Sequence, residues 1–111
     1  MAAPGYATLW EFAVLPARQA DFEAQYGPAG RWVALFRQAP GYLGSELLRD
    51  VADPLRYVTI DRWQSADAYR EFRRRFAAEY ERLDREFENW TTREAPLGEL
   101  CDPAPHTRVT T

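Results

Sequence analysis

"RYVTIDRWQSADAYREF", residues 56–72, changes its hydrophobic period half-way along. Up to Trp63 the period is two. Tyr57, Thr59, Asp61 and Trp63 share one face, Val58, Ile60 and Arg62 the other, and this alternation predicts a strand. Ser65 is a good helix N-cap, and Asp67 places a negative charge in the first turn. Tyr69, Phe72, Phe76, Tyr80, Leu83, Phe87 and Trp90 then recur at spacings of three or four, which predicts one long amphipathic helix. Three large aromatics, Tyr57, Trp63 and Tyr69, surround the junction. Their position can serve packing or form the wall of a pocket.

Working outward, "GYATLWEFAV" alternates Tyr6, Thr8, Trp10, Phe12 and Val14 against Ala7, Leu9, Glu11 and Ala13, a strand that Pro16 ends. Phe22 and Tyr26 lie one helical turn apart. "GPAG" interrupts, and Trp32, Leu35 and Phe36 resume the helical spacing, which predicts a helix broken in two. "PGYL" at 40–43 turns the chain into a second strand, and "ADP" at 52–54 makes a hairpin into the third. "EAPLGELC" reads as a short closing strand and residues 102–111 as a polar tail, which puts the domain at 1–101. The order of strand, broken helix, strand, strand, helix, strand is the ferredoxin-like split βαβ pattern of the α+β class: a four-stranded antiparallel sheet with its helices on one face. The other face is then bare, and covering it calls for a second subunit.

All 14 basic residues are arginine, and the net charge is −3. A mildly acidic chain with interleaved signs argues against a nucleic-acid or anionic-membrane surface. Arg73, Arg74 and Arg75 are answered by Glu71, Glu79 and Glu81, as on a solvated helix face. The single cysteine, Cys101, fits a reducing compartment, and with no membrane-length apolar run or signal peptide the expected location is the cytoplasm. No metal-ligand cluster, glycine-rich phosphate loop or nucleophile elbow appears.

"RYVTIDRWQSADAY", with "WEFAV", "GYLGSELLRD" and "EAPLGEL" at the other strand positions, resembles the antibiotic biosynthesis monooxygenase family over roughly residues 6–100. The resemblance implies a dimeric α+β barrel of two ferredoxin-like protomers. In members that oxidise polycyclic phenols and anthrones without any cofactor, an Asn and a Trp on the third strand, a Tyr in the next helix and an Arg beyond it form the pocket. By position the Trp matches Trp63 and the Tyr matches Tyr69, Arg82 or Arg85 supplies the Arg, and Thr59 stands where those members have Asn. A haem-degrading branch needs a helical His. The sole histidine here, His106, is in the tail.

Cofactor-free oxygenation needs a flat apolar slot, a base to deprotonate the substrate and donors to hold the anion. Trp63, Tyr57 and Trp10 are candidate slot walls and equally candidate core. Tyr69 would stand at the mouth, with Trp32 capping from the short helix. Asp61, a carboxylate among aromatics, is a candidate base with a raised pKa, or else is held in a structural ion pair or hydrogen bond. Phe72, Tyr80 and Arg82 complete the candidate binding set, and Tyr80 also reads as core. The resulting expectation is a homodimeric oxygenase-type enzyme acting on an aromatic, quinone-like or polyketide-derived small molecule. The alternatives are a non-catalytic protein that binds or shields such a molecule, and a cyclase or isomerase using the same pocket.

Overall fold

The computed structural model describes residues 3–103. β1 (Tyr6–Val14) is followed by a 3-10 turn at Pro16–Arg18 and by α1 (Gln19–Tyr26) and α2 (Arg31–Phe36). Next come β2 (Tyr42–Arg49), β3 (Arg56–Trp63), α3 (Ala66–Arg75) and α4 (Ala77–Phe87). A second 3-10 turn, Glu88–Trp90, leads into β4 (Thr91–Cys101). The strands lie in the order β2-β3-β1-β4, all antiparallel to their neighbours. This is the expected ferredoxin-like sheet.

The predicted break between the first two helices is present, and glycine makes it possible. A Cβ on Gly30 would stand 2.1 Å from the carbonyl oxygen of Gln25, so no other residue lets the chain turn this closely before α2. Gly41, at φ +92°, plays a similar part ahead of β2, where its carbonyl accepts from Gln64 N–H at 2.8 Å and ties the start of β2 to the end of β3. The change of period at Ser65 is a true boundary: the Ser65 hydroxyl accepts from the Ala68 N–H at 3.1 Å and caps α3.

Two expectations are corrected. The long helix is not continuous. At Phe76 the backbone leaves the helical region (φ −109°, ψ 27°) and separates α3 from α4, although neither proline nor glycine is near. The last strand is also longer than expected, because pairing with β1 starts at Thr91 opposite Val14 and continues through two register shifts to Cys101 opposite Tyr6. Residues 104–111, most of the tail expected from position 102 and His106 with it, lie outside the described residues.

Alternation sorts the strands into two faces. Tyr6, Phe12, Val14, Tyr57 and Trp63 point under the helices into a core with Phe22, Tyr26, Trp32, Phe36, Phe72, Leu83 and Phe87. The most deeply buried large side chains are Trp63, Tyr57, Phe22, Phe72 and Phe87, each contributing about 2 to 3 kcal/mol by burial. Rings meet directly, as where Phe22 stacks on Tyr26 with centroids 4.0 Å apart. No described helix covers the opposite face. Leu43 (60% exposed), Leu48 (49%) and Leu100 (57%) stand there, together with half-buried Leu9, Val58 and Ile60.

Candidate functional site

Between the inner sheet face and the helices the core does not close. A cavity of about 190 Å³ remains, walled by Thr8, Trp10 and Phe12 of β1, Thr59, Asp61 and Trp63 of β3, and Trp32 and Phe36 of α2. Tyr69 and Arg73 of α3, Tyr80 and Asp84 of α4 and Glu94 of β4 also line it, with Tyr26 and Val33 from the first two helices. The strand residues converge because the odd-numbered positions of β3 and the even-numbered ones of β1 face the same way, Thr8 lying opposite Asp61 and Trp10 opposite Thr59.

Trp63 is fully buried at the strand end, its ring 5.5 Å from Tyr69, 5.3 Å from Tyr42 and 5.0 Å from Phe72. It therefore serves as core and as cavity wall at once. Its indole N–H, like that of Trp32 beside the Tyr26 hydroxyl, is buried without a well-formed hydrogen bond to any described residue. A buried unpaired donor costs about 1 to 3 kcal/mol, so each N–H is an incentive for an acceptor in the cavity. Trp32 also packs edge-on to Tyr80 at 4.9 Å.

Asp61 is not paired with any described arginine. It accepts from the Ser45 hydroxyl at 2.6 Å, and Ser45 Oγ is in turn 2.6 Å from the Tyr42 hydroxyl. Burial pushes the Asp61 carboxyl up to about 6, against the downward pull of the Ser45 hydrogen bond. It is thus ionised at neutral pH yet close enough to neutrality to take a proton. The Tyr69 hydroxyl accepts from Arg73 Nη1 at 2.9 Å, which leaves its own hydrogen free for a guest, and the Arg73 guanidinium lies 3.9 Å above the Tyr80 ring. Burial first, then the neighbouring charge of Asp84, raises the Glu94 carboxyl at the rim.

Of the residues singled out in the sequence, Trp63, Tyr69, Asp61, Thr59, Trp10, Trp32 and Tyr80 line the cavity together. Four lie elsewhere. Tyr57 is packed in the core against Phe22, its hydroxyl held by Glu23 and, at 3.0 Å, by Gln19. Phe72 is buried behind Trp63 and Phe36. Arg82 is exposed on α4, and Arg85 is exposed and paired with Glu81. The guanidinium that reaches the cavity is Arg73, one turn after Tyr69 on the same face of α3, a spacing of four visible in "YREFR". Glu94 and the Tyr42–Ser45 pair carried no sequence signal, since only strand pairing brings them here, and Asp84 arrives with α4, one turn after Tyr80. Among the described residues no group of three or more His, Cys, Asp or Glu is arranged to hold a metal ion, and no helix is long and apolar enough to cross a membrane.

A sequence model of the antibiotic biosynthesis monooxygenase family matches residues 6–78, from the first residue of β1 into the start of α4. The chain belongs to this family. Solved structures agree in fold. A variant of SnoaB, a cofactor-independent oxygenase from Streptomyces nogalater, is 23% identical, with a TM-score of 0.75 over 96% of this chain and 100% of that one. The monooxygenase from the gene ActVA-Orf6 of Streptomyces coelicolor, solved with nanaomycin D, is 19% identical, with a TM-score of 0.71 over 91% of this chain and 89% of that one. A family protein from Nitrosomonas europaea is 15% identical, with a TM-score of 0.69 over 95% and 96%. No curated protein matches the sequence. The family resemblance of "RYVTIDRWQSADAY" therefore extends to the whole fold.

Proposed function

We propose that the protein is a cytoplasmic, homodimeric, cofactor-independent oxygenase acting on an aromatic or quinone-like, polyketide-type small molecule held in the aromatic cavity. The observation that carries this reading is the buried indole N–H of Trp63, unpartnered among the described residues in an aromatic-walled cavity that also holds Asp61 with its carboxyl raised to about 6. A donor awaiting an oxygen and a base tuned towards neutrality are what a phenol or anthrone requires. The acidic C–H or O–H bond of the substrate breaks and the proton passes to Asp61. The electron pair left on the ring gives one electron to dioxygen, and the ring radical and superoxide combine into a C–O bond. The peroxide anion so formed takes back the proton from Asp61, and the hydroperoxide then loses its outer oxygen as water together with the hydrogen on the same carbon as a carbonyl forms, leaving one oxygen atom in the product and one in water. In this scheme Trp63 and Tyr69 donate to the substrate oxygens, while Thr59, Trp10, Trp32 and Tyr80 shape the slot.

The test is oxygen uptake on a panel of anthrones, naphthols and hydroquinones with a metal chelator present and no flavin added. Consumption of one dioxygen per product is expected. Binding without uptake across the panel would overturn the reading in favour of a shielding protein or a cyclase. Because Asp61 acts ionised, kcat should fall about tenfold per pH unit below about pH 6 and level off above it. A pH-independent kcat would remove Asp61 as the base.

The dimer is proposed on the bare sheet face, where Leu43, Leu48 and Leu100 are exposed opposite the helices. Covering it takes an interface on the order of 1,600 Å². Light scattering at micromolar concentration should give twice the 12.9 kDa chain mass. Ile60→Asp, which sets an unpaired charge on that face, should give the monomer.

A further inference from the structure

Asp61 is the last member of a short hydrogen-bonded chain, and the directions of its bonds are fixed by elementary counting. An ionised carboxylate only accepts, so the single Ser45 hydrogen is committed to Asp61 Oδ1 at 2.6 Å. The 2.6 Å contact between Ser45 and Tyr42 must then be donated by Tyr42. Burial foremost raises the Tyr42 pKa, against the downward pull of the Ser45 contact and with the nearby Asp61 charge adding to the rise, so that hydroxyl stays protonated. Both residues come from β2: Ser45 reaches Asp61 because it lies directly opposite it in the β2–β3 register, and Tyr42, opposite Trp63 beyond the shift between Tyr42 and Gly44, reaches Ser45.

From this geometry we infer that Tyr42 and Ser45 are positioning residues for the base: they anchor Oδ1, fix the carboxyl plane and leave Oδ2 to take the proton of the substrate. The inference rests on the proposed role of Asp61. No other described residue hydrogen-bonds this carboxylate, so without Ser45 it would turn freely about its Cβ–Cγ bond. The other titratable or charged groups of the cavity are Tyr69 and Arg73 from α3, Tyr80 and Asp84 from α4 and Glu94 from β4, with Arg37 beside Tyr42. None of them replaces a donor on Oδ1.

The experiment compares Ser45→Ala, Ser45→Thr and Tyr42→Phe with the parent protein. The Asp61 carboxyl is titrated in the substrate-free protein by carbon-13 NMR or infrared difference spectroscopy, with Asp61→Asn identifying its signal. Ser45→Ala removes a donor that favours the ionised form, so the midpoint should move up from about 6 by roughly one pH unit, and Tyr42→Phe should move it less in the same direction. Ser45→Thr keeps the hydroxyl and should restore the parent midpoint. On a substrate, the Ala variant should lose kcat about tenfold at neutral pH with KM little changed, and recover part of the loss at higher pH. An unchanged midpoint in Ser45→Ala, or a Thr variant that behaves like Ala, would overturn the inference. A lower melting temperature alone would leave Ser45 as structural support and overturn it equally. Failure of oxygen uptake in the parent protein would count against the proposed reaction, whereas the titration still decides the role of Ser45.

Discussion

Asp61→Asn should nearly abolish turnover while making the protein more stable at neutral pH. Loss of a general base lowers kcat by about 10²- to 10⁴-fold, and Asn keeps the oxygen that accepts from Ser45, so the cavity shape is retained. The stability change has the opposite sign for an electrostatic reason. The carboxyl titrates at about 6 in the folded protein, above the 3.8 of an unperturbed Asp, so the folded state binds the proton more tightly than the unfolded one. Stability is greatest below pH 4 as far as this group is concerned and falls as pH rises from 4 to 6. Above 6 the full cost is present, about 3 kcal/mol on the scale of 1.36 kcal/mol per pKa unit. A neutral Asn avoids it. Thermal unfolding at pH 7.5 should therefore show the Asn variant melting higher, by several degrees for a gain of about 1 to 3 kcal/mol, with the difference shrinking towards pH 4. A variant that melts lower at pH 7.5 would show that the carboxylate is a stabilising structural group.

Trp63 offers the second large effect. Trp63→Ala should cost about 3 to 5 kcal/mol, since the ring is fully buried among Phe36, Tyr42, Tyr69 and Phe72 and its removal leaves a void. Trp63→Phe separates core from site. The smaller ring loses contacts worth about 1 to 2 kcal/mol, but the substitution also deletes a buried N–H that has no partner, which offsets part of the loss. The melting temperature of the Phe variant should thus stay near that of the parent, while affinity for an oxygen-bearing polycyclic ligand falls about tenfold, the value of one hydrogen bond. Calorimetric binding and melting on one preparation check both. Unchanged affinity with a clearly lowered melting temperature would return Trp63 to the core.

The fold was legible because its signals are local. The period change at Ser65, the "GPAG" interruption and the "ADP" hairpin each mark a boundary through residues within a few positions of it, and each boundary is where it was expected. The break at Phe76 has no such marker, since the apolar spacing from Phe72 to Tyr80 runs through it unchanged. The start of β4 at Thr91 was hidden because "TTRE" is polar and is a strand only by pairing with the end of β1. The candidate site was half legible for the same reason. Asp61, Trp63 and Tyr69 stand out by their neighbours in sequence, whereas Ser45 and Glu94 enter it only through the sheet register. Arg73 was masked by its place in an arginine run that reads as surface.

β3 carries chemistry on one side and the proposed assembly surface on the other, residue by residue: Thr59, Asp61 and Trp63 face the cavity, Val58 and Ile60 the bare sheet. Substitutions can therefore alter either task without the other, and the two can diverge separately among relatives. A change of length cannot. One residue inserted before Thr59 would turn the carboxylate and the indole outward and drive Ile60 and Arg62 into the cavity, so that reaction and pairing fail in a single event. The turn at residues 51–55, where Val51 is wholly exposed, is the place where this hairpin can change length without that penalty.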